Sequence, residues 1–311
     1  AGHGAVGIIS LRTPVDQARM PWERFLPGIG RPGMRWLNAD GEPHEAYPEF
    51  RGSAVLSESG ASTLFTFAGV NLEEIFTHHA AGGTGSFDLN VNATLSRSST
   101  QAVVSSANVI GVIRGTDPVL KDEFVIYTAH LDHIGVRSAG SEDEIHNGAY
   151  DNAAGIGVIL EIAEVLQRLP LRRSVIFAAV TAEEKGLQGS SYLVNNAPVA
   201  LERLVANINI DMPYLGFPIG DIEAFGAEHS TLLAAVTQAT EELGMVLTPD
   251  PMPEEVRFVR SDQFSFVKKG IPALAFKAGS KSTDPAIDGK AMLQECGISG
   301  LKRKYNEQDT L

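Results

Sequence analysis

From residue 108 onwards, short apolar runs alternate with longer amphipathic segments, and this alternation restricts the fold more than any other feature of the sequence. The runs are apolar almost throughout, which is typical of strands that are buried on both faces of a sheet. The predicted strands are Val109–Ile113, Phe124–Ala129, Ser174–Val180, Val205–Ile210 and Ile271–Phe276. The predicted helices are Ala153–Leu169, roughly Gly186–Asn195, and Ser230–Leu243. This order predicts a mainly parallel sheet with helices on both faces, a three-layer α/β/α sandwich.

The first 105 residues follow a different pattern. They contain two short β-like runs, Ala5–Ile9 and Ser53–Leu56, and stretches rich in proline and glycine such as Pro27–Gly33. The polar segment Ser96–Gln101 is typical of a connection. We therefore predict a smaller β-containing N-terminal lobe at residues 1–105 and a larger domain at residues 106–311.

The balance of charged residues argues against some classes of partner. The 25 lysines and arginines stand against 38 aspartates and glutamates, which gives a formal net charge of −13. This charge disfavours binding to nucleic acid or to an anionic membrane, and no apolar run approaches the roughly 20 residues that span a bilayer. The single cysteine, Cys296, excludes an intrachain disulfide and a multi-cysteine metal site.

Four clusters of metal-binding residue types lie at the ends of predicted strands or just before a helix. They are HLDH at 130–133, NGAYDNAAG at 147–155, TAEEKG at 181–186 and NIDMP at 209–213. In an α/β sheet, ligand sites gather beyond the carboxyl ends of the strands. Carboxylates that meet there raise one another's pKa unless a cation lies among them. A set of histidine and carboxylates without thiolate suits zinc or a similar ion, and one carboxylate can bridge two ions about 3.5–4 Å apart.

Each cluster taken alone also has an ordinary structural interpretation. Asp151 fits a helix N-cap, and the pair Glu183 and Glu184 fits a solvated turn. Asp211 before Met-Pro fits the start of a turn, and His133 fits a surface histidine. Only the joint occurrence of the four clusters favours a metal site.

The motifs AHLDHIG, NGAYDNAAG, TAEEKGLQGS and NIDM, in this order, resemble those of the di-zinc aminopeptidase family. That family includes bacterial leucyl aminopeptidases, aminopeptidase Y and the glutamate carboxypeptidase II branch. The resemblance extends over roughly residues 106–277, including SANVIGVIRGTDP before the first motif and RSDQFSFVKKGIPALAF after the last. It implies a zinc-dependent exopeptidase that acts on peptides, foremost an aminopeptidase, and a periplasmic or secreted location, although this sequence carries no signal peptide.

The resemblance also implies a set of metal ligands. His130 and Asp211 would hold one Zn²⁺ ion, Asp151 would bridge two ions, and Glu184 would hold the second. The family takes one more ligand for the second ion from a histidine in a Tyr-His-x-Pro-x-Asp-like stretch beyond the last core strand. Here Asn306 follows a tyrosine near that place, and the histidine of the second site is not found. Either the sequence ends before that histidine, or the tail is altered, or the second site is degraded.

Two further residues receive catalytic roles from the resemblance. Glu183 would be the general base that takes a proton from the attacking water and passes it to the leaving amine. Asp132 would hydrogen-bond His130 and fix its tautomer, as carboxylates beside metal-bound histidines do. In the family, the peptide bond that corresponds to Asp151–Asn152 is cis, and the segment around Gln263 lines the pocket.

The N-terminal lobe resembles part of another known domain. GAVGIIS at residues 4–10 is similar to the strand entry of a protease-associated domain, which the family inserts after an N-terminal peptidase segment. That segment is missing from this sequence, so we expect the natural chain to begin earlier.

Two other functions remain open at the level of sequence. One is a non-catalytic binding ectodomain like the transferrin-receptor branch, in which the fold persists while metal ligands are lost. The other is a glutaminyl-cyclase-like acyltransferase that uses a single zinc ion. The paired Glu183 and Glu184 do not separate the cyclase from the peptidase, because both branches keep similar carboxylates.

Overall fold

The computed structural model describes residues 4–29, 32–47, 49–136, 144–214 and 216–295. The chain divides into two compact units, residues 1–104 and 105–311. Cys296 and Asn306 lie outside the described residues, and so does the tail motif that the sequence places near residue 306. Within the described residues, no helix is long and apolar enough to cross a membrane.

The smaller unit combines a two-stranded parallel sheet with four helices. The elements are β1 Gly7–Leu11, α1 Pro14–Arg19, α2 Trp22–Ile29, β2 Gly52–Leu56, α3 Glu58–Phe67 and α4 Leu72–Ala80. The Thr13 side chain accepts the backbone N–H of Asp16, and the Asp16 carboxylate accepts the N–H of Thr13, so α1 begins with a capping box. The two strands agree with the predicted β-like runs to within two residues, whereas the apolar pattern does not predict the helices.

Both tryptophans of the chain lie in this smaller unit. Trp22 begins α2, and its ring centroid lies 5.7 Å from that of Phe25. The ring of Trp36 stacks on His44 with 4.0 Å between the centroids.

The larger unit is built around one seven-stranded sheet. Its strands are β3 Val109–Ile113, β4 Phe124–His130, β7 Ser174–Val180, β8 Leu204–Ile210, β9 Asp221–Phe225, β10 Val246–Thr248 and β11 Ala273–Ala278. A separate short hairpin consists of β5 Gly135–Val136 and β6 Ile145–His146, and the helices are α5 Ala154–Leu166, α6 Gln188–Asn195, α7 Leu232–Glu242, α8 Gln263–Val267 and α9 Gly289–Glu295. The strand order is β10-β9-β11-β8-β4-β7-β3. Four neighbouring pairs are parallel, and β3–β7 and β9–β11 are antiparallel.

The fold confirms the predicted α/β class with a mainly parallel sheet between helices. All five predicted strands and all three predicted helices are present, with ends that differ by at most three residues. Strands β9 and β10 of this sheet, the hairpin strands β5 and β6, and the helices α8 and α9 are additional. The β9 run Asp221–Phe225 carries buried acidic side chains, so its sequence does not resemble a buried strand.

A hydrophobic core lies on each face of the sheet, because the side chains alternate along the strands. Phe124 and Ile126 of β4 pack with residues of α6 and α8 on one face. Val175 and Phe177 of β7 pack with Ile159 of α5 on the other. Because successive side chains of a strand point to opposite faces, the last residue of β4 lies on the face that α6 and α8 cover.

Candidate metal centre

The end of β4 and the end of β8 bring a histidine and an aspartate together. The two strands are parallel neighbours, with Thr128 opposite Asn209. Two residues further along, His130 and Asp211 therefore lie side by side at the carboxyl edge of the sheet, with 3.6 Å between His130 Nε2 and Asp211 Oδ1. The His130 ring is buried.

Asp151 reaches the same place from the loop that precedes α5. Its peptide bond to Asn152 is cis, and the Asn152 amide donates to Ile210 O at 2.9 Å, which ties the loop to the end of β8. Asp151 Oδ1 lies 3.1 Å from His130 Nε2. The ligand atoms of His130, Asp151 and Asp211 all lie within 4.8 Å of one another. The alternative role of Asp151 as an N-cap does not apply, since α5 begins after Ala153 without a side-chain cap.

A second group of ligand atoms shares Asp151 with the first. His133 Nδ1 lies 3.0 Å from Glu184 Oε1 and 3.9 Å from Asp151 Oδ2. These three residues also have ligand atoms within 4.8 Å of one another. The interpretation of His133 as a surface histidine is wrong, because its side chain is only 12% exposed. The short spacing in HLDH is the signal in the sequence that points to it.

Asp132 acts through atoms other than those that the resemblance implies. His130 Nδ1 lies 2.9 Å from the backbone carbonyl oxygen of Asp132, whereas the nearest carboxylate oxygen is 3.8 Å away. The carboxylate instead accepts the backbone N–H groups of Glu183 at 2.9 Å and Glu184 at 3.2 Å. A carbonyl oxygen can only accept, so Nδ1 of His130 donates to it and Nε2 is the nitrogen that faces the ligand group. The predicted effect on the tautomer is retained, but the backbone supplies it.

Glu183 lies beside the ligand groups and belongs to neither of them. Burial and then the charge of Asp262 raise the pKa of Glu183 to about 9. Asp262 itself is fully buried. Burial raises the pKa of Asp262 to about 7. The sequence motifs do not single out Asp262, because its position follows from the packing of the loop before α8.

The electrostatics of the site favour a bound cation. Burial lowers the pKa of His130, but its hydrogen bonds to Asp151 and Asp211 outweigh burial and raise that pKa to about 12. Burial and the charge of Asp151 raise the pKa of Glu184. This pKa favours a proton on Nε2 of His130, between the carboxylates, and a divalent metal ion would replace that proton.

A lysine of β11 lies next to Asp211, on the side of β8 that faces away from β4. Phe276 of β11 pairs with Ile210 of β8, so Lys277 lies next to Asp211 and donates to its carbonyl oxygen. Burial raises the pKa of Asp211, but the ammonium of Lys277 and then His130 outweigh it and hold that pKa well below its usual range. On its other side Lys277 pairs with Glu223 of β9. The sequence does not predict this neighbour, which depends on the strand order.

Beneath the site lies a buried polar network. Thr128 donates to Asn209 Oδ1 at 2.7 Å, and the Asn209 amide donates to Ser261 Oγ at 2.9 Å and to Gln263 Oε1 at 3.0 Å. Gln263, which the resemblance places in a pocket-lining segment, is fully buried and also donates to Phe258 O. Its side chain forms buried hydrogen bonds within the fold, and these hold the segment that carries Asp262.

Comparison with known proteins gives matches to peptidases. The family model described as Peptidase family M28 matches residues 108–293. Aminopeptidase YwaD of Bacillus subtilis is 35% identical over 109 residues, which are 35% of this chain and 22% of that protein. Aminopeptidase NAALADL1 of Mus musculus is 37% identical over 135 residues, which are 41% of this chain and 16% of that protein.

A solved structure gives a similar match of limited extent. The zinc aminopeptidase BSAP from Bacillus subtilis is 26% identical, with 61% of this chain and 47% of that chain covered and a TM-score of 0.44. The matched part of the chain therefore spans less than half the length of these relatives.

Proposed function

Because the chain belongs to peptidase family M28, we propose that it is a zinc-dependent exopeptidase, an aminopeptidase that hydrolyses the N-terminal peptide bond of peptides. One observation carries the proposal. His130, Asp151 and Asp211 present ligand atoms within 4.8 Å of one another, and a carboxylate that is not a ligand, Glu183, lies beside them.

The donor atoms fit zinc. Imidazole nitrogen and carboxylate oxygens without thiolate form ligand sets of the kind found in catalytic zinc sites. His130, Asp151 and Asp211 would hold one ion, and Asp151 together with Glu184 would contact a second. When bound, zinc supplies Lewis-acid chemistry, because it lowers the pKa of a nearby water and draws electron density from the scissile carbonyl.

Glu183 performs the acid–base work in this proposal. Its carboxylate takes the proton that the attacking water loses and passes it to the leaving amine. The two hydrogen bonds from the backbone of Glu183 and Glu184 to the Asp132 carboxylate hold the turn in place. The neighbouring residues of that turn therefore serve different purposes: Glu184 belongs to a ligand group, and Glu183 is left to move a proton.

The charge of the site supports a substrate with a free N-terminus. Carboxylates outnumber cationic groups at this edge of the sheet, where Lys277 is already paired with Asp211. A field of this sign attracts the ammonium group of a peptide. An acylated N-terminus would lose that attraction.

The proposal is tested by activity and metal content together. The 311-residue chain, loaded with zinc, should release p-nitroaniline from leucine p-nitroanilide and leave the N-acetylated analogue intact. Hydrolysis should stop on chelation and return with zinc. Bound zinc without hydrolysis would instead favour a non-catalytic binding protein like the transferrin-receptor branch. Cyclisation of an N-terminal glutamine with one zinc per chain would favour the glutaminyl-cyclase-like function.

We also propose that residues 1–105 are part of a protease-associated domain and that the protein works in the periplasm or outside the cell. The first proposal is supported by GAVGIIS, whose second half forms the beginning of β1. The second is supported by the family resemblance alone.

A further inference from the structure

Asp151 divides its two carboxylate oxygens between two imidazoles. Oδ1 lies 3.1 Å from Nε2 of His130, and Oδ2 lies 3.9 Å from Nδ1 of His133. Each imidazole has one further carboxylate on its other side, Asp211 for His130 and Glu184 for His133. The two groups therefore have the same composition, one nitrogen and two carboxylates, and they meet at Asp151.

The Nδ1 atom of His133 is buried and has no hydrogen-bond partner among the described residues. Glu184 Oε1 lies 3.0 Å away, but it does not form a hydrogen bond to that nitrogen. In contrast, the outer nitrogen of His130 is satisfied by a backbone carbonyl at 2.9 Å, and its inner nitrogen faces the ligand group. A buried nitrogen that points at carboxylates without bonding to them is an atom that a metal ion would satisfy.

The fold fixes the position of the His133 ring. His133 lies two residues before β5, the first strand of the short hairpin. Gly148, which follows that hairpin, has a φ of +71°, and a Cβ atom built there would lie 2.6 Å from Cβ of His133. Only glycine allows this close approach, so the loop holds His133 against the second group.

Other histidines of the larger unit are less well placed for this role. The ring centroid of His146 lies 6.2 Å from that of His133, and His146 belongs to neither ligand group. The side chain of His229 is 65% exposed and lies near Glu228. Among the described residues, His133 is thus the imidazole that faces Glu184 and the second oxygen of Asp151.

Building on the proposed function, we infer that His133 is the imidazole ligand of a second metal ion, in place of the histidine that related di-zinc enzymes carry beyond the last strand. The second ion then has Asp151, Glu184 and His133 as protein ligands.

The test measures metal binding by the full chain rather than its activity. Equilibrium dialysis with zinc and titration with Co²⁺, followed by its visible absorption, give the number of ions and their dissociation constants. The unchanged chain should bind two ions. His133→Gln should keep the first ion at full occupancy and weaken the second by about 100-fold or more, since even indirect partners of metal ligands contribute about 10–100-fold. His133→Asp, which restores a ligand oxygen, should recover part of the second site.

The matched control is His146→Gln, which removes the neighbouring ring. This variant should bind two ions as the unchanged chain does. Two ions of unchanged affinity in His133→Gln would overturn the inference, and so would loss of the second ion in His146→Gln alone. A single ion in the unchanged chain would overturn it too, while the proposed peptidase function would stand. A chain that binds no zinc at all would refute both. Occupancy of the first site in each variant shows that the chain is folded.

Discussion

At the scale of single residues, two adjacent glutamates lie in different surroundings. Glu184 belongs to a ligand group with His133 and Asp151, whereas Glu183 faces the first group and the buried Asp262. The backbone N–H groups of both glutamates donate to one Asp132 carboxylate, so their relative position is fixed. Substitution of Glu183 should therefore have a different effect from substitution of Glu184.

We predict that Glu183→Gln lowers turnover by roughly 10²–10⁴-fold, the usual size of general acid–base effects. The substitution keeps the shape of the side chain and removes the proton acceptor, so zinc content should not change. Steady-state kinetics and metal analysis on the same preparation check this. Glu184→Gln is the comparison, and it should weaken the binding of one ion as well as the rate. Unchanged turnover in Glu183→Gln would show that another group moves the proton.

The residue scale also shows where sequence motifs stop being informative. The motifs single out His130, Asp151, Glu184 and Asp211, because these residues follow strand ends and carry metal-binding groups. They do not reveal which atoms of Asp132 are used, since a backbone carbonyl looks the same in every residue. Lys277 and Asp262 are equally hidden, because each meets the site through strand order or loop packing that no local pattern encodes.

At the scale of elements, the polar network beneath the site connects β4, β8 and the start of α8. Asn209 is fully buried, and all of its polar atoms bond to side chains of neighbouring elements. Such a network stabilises the fold only while every member keeps its partner. It also holds the loop that carries Asp262 under Glu183.

We predict that Asn209→Leu destabilises the larger unit by about 1–3 kcal/mol for each buried partner that it leaves without a hydrogen bond. Asn209 bonds to Thr128, Ser261 and Gln263, and of these Thr128 keeps a second hydrogen bond, which it accepts from Asn207 at 3.0 Å. Urea unfolding followed by circular dichroism measures the free energy of unfolding. Asn196→Leu, at an exposed helix end, should change it by less than about 0.5 kcal/mol. A fully stable Asn209→Leu variant would show that the network adds nothing to stability.

Strand β9 illustrates why one element escapes prediction. Its acidic residues Asp221 and Glu223 are buried, which is the reverse of the apolar pattern expected for a strand. Asp221 accepts from Thr248 at 2.8 Å and from the backbone of Lys281 at 2.7 Å, and Glu223 lies 3.4 Å from Arg257. These partners are distant in sequence. The folded chain brings them to the buried carboxylates, so a local sequence pattern does not show them. The strands β4 and β7, in contrast, are predicted by their own apolar sequences.

We predict that Glu223 makes the free energy of unfolding smaller as the pH rises. Burial raises the pKa of Glu223 from 4.5 to about 7, although Arg257 opposes the change. A carboxyl with a raised pKa in the folded state stabilises the fold when protonated, and this contribution is lost as the pH rises from about 4.5 to about 7. Relative to the unchanged protein, Glu223→Gln should therefore gain up to about 3 kcal/mol over that interval.

The measurement is the free energy of unfolding of both proteins from pH 4 to pH 8. The difference between them isolates Glu223, because other titrating groups cancel. A difference that does not vary with pH for Glu223→Gln would contradict the pKa shift.

At the scale of the whole molecule, the candidate ligands among the described residues all belong to the larger of the two compact units. A metal ion that binds only the folded chain adds to the free energy of unfolding by mass action. We predict that zinc at 100 times its dissociation constant stabilises this unit by about 2.7 kcal/mol. Thermal unfolding with and without a chelator checks this. In Asp211→Asn, which removes a proposed ligand of the first ion, the increment should shrink.

The location of the tryptophans has a spectroscopic consequence. Trp22 and Trp36 both lie in the smaller unit, and the larger unit contains no tryptophan. Indole emission excited near the red edge therefore reports on residues 1–104 alone, whereas the visible colour of bound Co²⁺ reports on the ligands of the larger unit. Each half of the molecule carries its own optical signal, so the response of one half to events in the other can be followed without attaching any dye.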